Sequence, residues 1–161
     1  MRRLGADEVD LLRALRLRAL GDAPMAFGST LAREEGYAPE QWERWAAASA
    51  TGDRQAIFIA EPASGMASGV IDDEDPALAY LYAMWVAPEA RRTGAGAALL
   101  EAVIAWAADR GAQMLTTSVA EGNAAAAALY TRVGFADTGR REPLGHSDGV
   151  VAVVERPLGD R

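Results

Sequence analysis

Residues 84–107, MWVAPEARRTGAGAALLEAVIAWA, contain in order the end of a strand, a proline break, an arginine pair, a Gly-x-Gly turn and a helix. The strand is predicted from the unbroken, aromatic-rich apolar run at residues 80–86. Pro88 ends it, because proline has no N–H to donate to a ladder. Gly94 and Gly96 leave no side chain between the backbone and a ligand above the turn. This arrangement indicates a ligand site at the start of the helix.

The helix after this turn is predicted to end near Gly111, because glycine suits a helix C-terminus. Its first turn has free backbone N–H groups and the positive end of the helix dipole, and Arg91 and Arg92 precede it. These features predict an anion site. The turn is neither a dinucleotide motif, because Leu99 replaces the third glycine, nor a Walker loop, because no Lys follows. The predicted buried face is Leu99, Ala102, Val103, Trp106 and Ala107.

A second block, NAAAAALYTRVGF at residues 123–135, predicts another helix. Asn123 suits the N-cap, and Gly134 followed by Phe135 is typical of a left-handed helix end with a hydrophobic follower. Asn123 and Tyr130 are seven residues apart, about two turns, so they share one face of the helix. The small side chains between them on that face predict a shallow channel: Ala126 and Ala127.

Both blocks resemble motifs of the GNAT superfamily of N-acetyltransferases. In motif A of that family, a strand ending in Val and then a Pro lead into [Gln/Arg]-x-x-Gly-x-[Gly/Ala]. The residues that match motif A are Val86, Pro88, Arg91, Gly94 and Gly96. The residues that match the family's later helix motif are Asn123, Ala126, Tyr130, Gly134 and Phe135. Motif A alone leaves an ordinary strand–helix turn as an alternative, but the two blocks together, in this order and spacing, identify the chain as a member of the family.

The resemblance implies an α/β fold whose central, mostly antiparallel sheet splays between the family's fourth and fifth strands and is flanked by helices. It implies acetyl-CoA as co-substrate and no metal. The backbone of a bulged strand end would hold the pantetheine arm, and the helix start would hold the pyrophosphate. Tyr130 would lie near the thioester sulfur as general acid to the CoA thiolate. The implied co-substrate contacts are Met84, Trp85, Val86, Arg91, Arg92, Thr93, Gly94, Ala95, Gly96, Ala97 and Asn123.

The other elements are predicted from periodicity and turn residues. A helix is expected over residues 7–20, with a stripe of Val9, Leu12, Leu15 and Leu20, and a second over residues 39–48, with a loop at 21–38 between them. The expected strands are residues 56–60, 66–71, 78–86, 114–119 and 150–155. The acidic run at residues 72–75 is interpreted as a solvated loop rather than a metal site. The resulting order is α-α-β-β-β-α-β-α-β in a single domain, residues 1–161.

The composition narrows the class of partner. The 161 residues suit one domain with a sizeable core, and half of them are apolar. The net charge of −7 argues against nucleic acid as the main partner, whereas it favours cationic amines. The chain has no Cys and no Lys, so it offers neither a disulfide framework nor a thiol nucleophile. No apolar run is long enough for a signal peptide or a membrane span, so a cytoplasmic protein without a membrane partner is expected.

Acetyl transfer from a thioester to an amine requires a base for the amine, a donor at the developing oxyanion and an acid for the thiolate. Backbone N–H groups at the strand end can supply the donor, and Tyr130 the acid; the alternative for Tyr130 is a ring that packs on the sheet. Family members that acetylate ribosomal-protein N-termini carry a Glu where this chain has Ser118. The base is therefore left open among Glu34, Glu35, Glu121, His146 and water.

The sequence thus predicts an acetyl-CoA-dependent N-acetyltransferase that acts on a small-molecule amine. Two alternatives stay open: a protein or peptide N-terminal acetyltransferase, and a non-catalytic module that senses acyl-CoA. Ser118 and the segment TGRREPL at residues 138–144 argue against the first, because the N-terminal enzymes tend to have aromatics there. Tyr130 argues mildly against the second. The identity of the amine, the acyl-chain preference and a homodimer are left open.

Overall fold

The computed structural model describes residues 1–159 and contains a mixed seven-stranded sheet in the order β1-β2-β3-β4-β5-β7-β6. All neighbouring strands in it are antiparallel except β4 and β5, which are parallel. The predicted α/β fold with a mostly antiparallel sheet is therefore confirmed. The strands are β1 (Arg2–Arg3), β2 (Gln55–Ala60), β3 (Gly65–Ile71), β4 (Leu78–Val86), β5 (Met114–Ala120), β6 (Ala136–Pro143) and β7 (Val150–Pro157).

Helices cover both faces of the sheet. They are α1 (Val9–Asp22), α2 (Leu31–Glu35), α3 (Pro39–Thr51), α4 (Ala95–Asp109) and α5 (Ala124–Arg132). On one face, α1 and α3 bury apolar side chains against β2, β3 and β4: Leu12, Leu20, Trp42, Ile57, Ile59, Met66 and Trp85. On the other face, α4 and α5 do the same: Leu99, Leu100, Val103, Trp106, Leu81, Leu115 and Tyr130. The sheet is thus buried on both sides through its centre, which fixes the strand ends that form the site.

The parallel pair β4–β5 separates after a short stretch. Their ladder runs only from Leu78 opposite Met114 to Tyr80 opposite Thr116, although β4 continues to Val86 and β5 to Ala120. The backbone edges beyond Tyr80 and Thr116 therefore face a gap instead of each other. The predicted splay in the sheet is present at this place.

The predicted bulge near the end of β4 is also present, but it is centred earlier than the segment Met84, Trp85 and Val86. The pairing register between β3 and β4 shifts between Met66 and Ser68. On the opposite strand Ala83 has a φ of 52°, which is a left-handed value and uncommon for a residue with a Cβ. The bulge turns the end of β4 and changes which backbone groups face the gap.

Several predicted boundaries differ from the observed ones. Helix α1 runs two residues later than predicted, and α3 continues to Thr51 before Gly52 ends it. The prediction of a loop over residues 21–38 was wrong, because helix α2 lies within this range. The Thr30 side chain caps the start of α2 by accepting a hydrogen bond from the Arg33 N–H at 3.2 Å. Leu100 is fully buried on α4, whereas Ala102 is only half-buried because the buried face is rotated towards Leu100. Val9 is likewise half-buried.

Two strands were not predicted. Strand β1 has only two residues, too few for a pattern. Strand β6 is exposed along its whole length and has no apolar alternation, because it lies at the sheet edge and is held by its ladder with β7. Ion pairs on the same edge support it, among them Arg140 with Glu155 at 2.6 Å.

Candidate active site

The start of α4 forms a cradle of backbone N–H groups. None of the six N–H groups from Arg92 to Ala97 donates a hydrogen bond to another residue of the described chain. Gly94, with a φ of 92°, is the N-cap, a conformation that glycine adopts without strain. The Arg92 side chain is exposed and has no ion-pair partner within residues 1–159. The N–H groups and the helix dipole make this cradle fit an anion such as a pyrophosphate.

Arg91 anchors the segment that leads into the cradle. Its Nε donates to the carbonyl of Val86 at 3.0 Å, and its guanidinium forms an ion pair with Asp22 at the end of α1. The indole of Trp85 donates to the same carboxylate at 2.9 Å. The hydrogen bond from Trp85 and the ion pair with Arg91 lower the pKa of Asp22, so the carboxylate stays charged at neutral pH. Because the Trp85 side chain lies in the core, only its backbone is left for a ligand contact.

Gly96 faces the protein and not the cradle. A Cβ added there would lie 3.0 Å from Cδ2 of Leu129 on α5 and 3.6 Å from the Met84 side chain. The expectation that a side chain at Gly96 would occupy phosphate space was therefore wrong. A side chain at Gly96 would force Leu129 to shift by a few tenths of an ångström, because α4 packs closely against α5 and β4.

Tyr130 lies at the gap between β4 and β5. It is the residue common to two cavities, one of about 750 Å³ on the α1–α3 side and one of about 300 Å³ beneath α5. The side chain of Thr117 donates to the carbonyl of Leu81 across the gap at 2.9 Å, and its interaction with the Tyr130 hydroxyl partly offsets the rise that burial causes in the pKa of this hydroxyl. The hydroxyl is thus placed where the two strands separate.

Burial raises the pKa of Tyr130 to about 12. At neutral pH the hydroxyl is therefore protonated and can act as a proton donor but not as a base. The ring also packs against Phe135, with 5.4 Å between ring centroids. Tyr130 is accordingly both a core side chain and a buried acid at the gap.

Asn123 caps α5 as predicted, with its side chain accepting a hydrogen bond from the Ala126 N–H at 3.2 Å. Asn123, Ala127 and Tyr130 line the smaller cavity. Ala126 does not line it, because this residue packs against the α4–α5 core. The predicted shallow channel is present along Ala127, without Ala126.

The larger cavity opens from the gap towards α1 and the segment after it. Its walls come mainly from the strands β2 to β7, from α1 and α3, and from the segment 26–29. Acidic side chains on it are Glu142 and Glu155, and Arg140 lies beside them. Arg16 and the aromatic rings of Phe27 and Trp45 also line it. The cavity lining thus carries charged side chains of both signs.

The four candidate side chains for the base lie apart from this cavity. Glu34 is buried and held by Arg16 through two hydrogen bonds of 2.7 and 2.8 Å, so its carboxylate is occupied. Glu35 is exposed at the end of α2. Glu121 lines the smaller cavity and pairs with Arg141 at 2.9 Å. His146 lies with Nε2 at 2.6 Å from the carbonyl of Phe27, so it joins the β6–β7 loop to the segment after α1.

Sequence reasoning missed the polar residues of the larger cavity. Arg16 could have been noticed, because it lies four residues from both Leu12 and Leu20 and so interrupts the apolar stripe of α1. Ser68 and Thr117 gave no local signal, because their positions depend on strand register. Glu142 and Glu155 belong to the β6–β7 hairpin, of which β6 was not predicted.

Within residues 1–159 no helix is both long and apolar enough to cross a membrane. The same part of the chain contains no group of three or more His, Cys, Asp or Glu side chains placed to hold a metal ion.

Comparison with known proteins defines the class of this chain as an acetyltransferase. The model of the Acetyltransferase (GNAT) family matches residues 21–135, and the chain therefore belongs to this family of acyltransferase enzymes. A segment of 70 residues, 43% of the chain, is 41% identical to Acetyl transferase GW6a of rice, Oryza sativa subsp. japonica. That segment spans only 17% of the rice protein's length.

Solved structures share the fold across nearly the whole chain. A GNAT-family acetyltransferase from Streptococcus pneumoniae superposes with a TM-score of 0.81 at 22% identity, covering 98% of both chains. The structure of yncA, a putative acetyltransferase from Salmonella typhimurium with its cofactor acetyl-CoA, gives a TM-score of 0.81 at 17% identity, over 99% of this chain and 94% of the other. Ribosomal-protein-alanine N-acetyltransferase from Brucella melitensis gives 0.78 at 23% identity, covering 98% of both.

Proposed function

We propose that this protein transfers the acetyl group of acetyl-CoA to the amine of a small molecule, with Tyr130 as the acid that protonates the CoA thiolate. The observation that carries the proposal is the position of the Tyr130 hydroxyl at the β4–β5 gap, between two cavities. Family membership supports acetyl-CoA as the donor, as does the yncA relative, which carries acetyl-CoA as its cofactor.

The cradle from Arg92 to Ala97 would hold the pyrophosphate, with Arg92 adding charge from its exposed side chain. The pantetheine arm would follow the unpaired backbone of β4 from the bulge at Ala83 towards Tyr130, with Met84 and Asn123 beside it. The bulged backbone supplies N–H groups for the negative charge that develops on the acetyl oxygen. These roles rest on free backbone groups and therefore need few particular side chains.

In the reaction a bond forms between the amine nitrogen and the acetyl carbon, and the carbon–sulfur bond breaks. The amine loses one proton, the departing thiolate gains one from Tyr130, and Tyr130 regains a proton from solvent before the next turnover. Glu142, which lines the larger cavity and has no ion-pair partner in the described chain, and solvent are the proton acceptors open to the amine. Since Tyr130 stays protonated at neutral pH, it needs no other group to prepare it as the acid.

A panel of amines tests whether the acceptor is a small molecule. We expect thioester consumption, followed by the release of free thiol, to be faster with at least one small amine than with any peptide N-terminus. The cavity of about 750 Å³ lies within the usual size range of small-molecule sites, which suits a small acceptor. Faster turnover of a peptide N-terminus would favour the peptide enzyme, and binding of acetyl-CoA without any turnover would favour a sensor.

The cradle has its own prediction. Thr93→Glu adds a negative charge beside the free N–H groups without entering the core, because Thr93 is exposed. The Kd for acetyl-CoA, measured by calorimetry, should rise roughly 20-fold at low salt through repulsion of the phosphates. The effect should shrink as salt rises from about 0.1 to 1 M, because the Debye length falls from about 10 to 3 Å.

Gln113→Glu is the matched control for this variant, because it adds the same charge just beyond the opposite end of α4. Its Kd should stay within about twofold of the unmodified protein. Equal affinities of the Thr93→Glu variant and this control would exclude the cradle as the phosphate site.

A further inference from the structure

The larger cavity contains polar groups that acetyl transfer itself does not use. Arg16, on α1, lines it and is 8% exposed. Ser29 and Ser68 also line it. Their hydroxyl oxygens are buried and have no hydrogen-bond partner among residues 1–159. Buried polar groups without partners are rare, so a group of them in one cavity indicates a ligand that completes their hydrogen bonds.

The geometry of Arg16 leaves one part of its guanidinium for a ligand. Its Nε and Nη2 donate to the two oxygens of Glu34, whereas Nη1 makes no hydrogen bond within the described chain. The guanidinium carbon lies 4.9 Å from the centroid of Phe27 and 5.8 Å from that of Trp45. The two rings and the carboxylate hold the guanidinium in place. A ligand that binds its remaining N–H groups therefore costs no further side-chain entropy.

From these residues we infer that the acceptor amine carries a carboxylate, held by Arg16, Ser29 and Ser68. This inference rests on the proposed function. The donors match the two oxygens of a carboxylate, which accepts hydrogen bonds and donates none. Glu34 already neutralises Arg16, so the site formed by Arg16, Ser29 and Ser68 suits a singly charged carboxylate better than a doubly charged phosphonate.

The β6–β7 side of the cavity suits the other end of such a molecule. Glu142 lines it there without an ion-pair partner in the described chain, and an acidic group attracts an ammonium, whereas Glu155 is already paired with Arg140 at 2.6 Å. The Tyr130 hydroxyl lies on the same cavity, where the amine would meet the acetyl group. A free amino acid, with an ammonium and a carboxylate on one small molecule, fits a cavity with this distribution of charge.

The test compares matched acceptors with the intact protein and acetyl-CoA. The acceptors form three sets, one each for leucine, methionine and phenylalanine. Each set contains the amino acid, its amide, its decarboxylated amine and the corresponding aminophosphonate. The amino acid should exceed its amide at least about tenfold in kcat/KM and its decarboxylated amine about 100-fold, because charge-assisted hydrogen bonds are lost. The aminophosphonate should have a lower kcat/KM as acceptor than the amino acid.

Variants test whether the preference for a carboxylate arises from Arg16 and Ser68. Ser68→Ala removes one unpartnered oxygen and should raise KM for the amino acid about tenfold, while kcat/KM for the decarboxylated amine should fall much less, because that amine has no carboxylate for Ser68 to hold. Ser49→Ala is the matched control, because Ser49 is equally buried and unpartnered but lies outside the cavity. The double variant Arg16→Met with Glu34→Met removes the guanidinium without leaving a lone charge, and it should abolish the preference for a carboxylate.

The outcomes separate the two proposals. Equal or faster turnover of the amides and decarboxylated amines would overturn the inferred carboxylate site and leave the proposal of acetyl transfer to small amines standing. The same holds for an unchanged KM in the Ser68→Ala variant, or for a preference for aminophosphonates. If no amine of any set is acetylated although acetyl-CoA binds, the proposed function fails, and the inference fails with it.

Discussion

Tyr130→Phe is expected to lower kcat for acetyl transfer about 100-fold, with little change in the affinity for acetyl-CoA. The thiol that leaves has a pKa of about 8.5 by analogy with Cys, so its departure without an acid is possible but slower. The substitution keeps the ring that packs against Phe135 and removes only the hydroxyl at the gap. Steady-state kinetics and a calorimetric titration on the same preparation measure both quantities.

The pH dependence sharpens this test. Because burial raises the pKa of Tyr130 to about 12, the hydroxyl keeps its proton at neutral and mildly alkaline pH. The ratio of kcat of the unmodified protein to kcat of the Tyr130→Phe variant should therefore be constant between about pH 7 and 9. Tyr37→Phe removes the same atom outside both cavities and should leave kcat unchanged. An unchanged kcat with a lower Tm in the Tyr130→Phe variant would make the hydroxyl structural and assign the acid role to water.

Glu34→Ala should reduce the free energy of unfolding by about 3 kcal/mol. Both partners of the Arg16–Glu34 pair are almost fully buried, with side chains 9% and 4% exposed. Removing the carboxylate leaves the guanidinium between Phe27 and Trp45 with no opposite charge. Burial of an unpaired charge is among the most destabilising single changes in a folded protein. Urea unfolding at neutral pH measures the loss.

Glu35→Ala is the control for this prediction, because Glu35 is the exposed neighbour on the same short helix. Its effect on stability should stay within about 0.5 kcal/mol. A loss below about 1 kcal/mol for Glu34→Ala would contradict a buried ion pair. Glu34 would then be free to act elsewhere, including as the base for the amine.

The elements around the co-substrate cradle were predictable because their signals are local. The apolar run of β4, the Pro88 break and the glycine turn before α4 each act within a few residues of chain. The cap at Asn123 and the left-handed Gly134 are local in the same sense. Backbone conformation and helix capping depend on near neighbours, so sequence pattern could place the N–H cradle and the helix that carries Tyr130.

The edge strand β6 and the short helix α2 show where local patterns fail. Strand β6 has no buried face, so its residues carry no period-two pattern, and only the ladder with β7 defines it. Helix α2 has five residues, and its Glu34 is buried because Arg16 lies 18 residues earlier in the chain but next to it in space. Both elements exist through contacts between distant residues.

The sequence by itself determined the family of the fold, the glycine turn, and the helix face that carries Asn123 and Tyr130. The tertiary structure decided what surrounds Tyr130: the gap where β4 and β5 separate, and the cavity that brings Arg16 and Ser68 together. Those two residues lie on α1 and β3, more than fifty residues apart, and they line one cavity because α1 packs on the same sheet face that the register of β3 gives to Ser68. Helix capping and glycine turns act over a few residues, whereas strand register and helix packing are fixed only when the whole core closes.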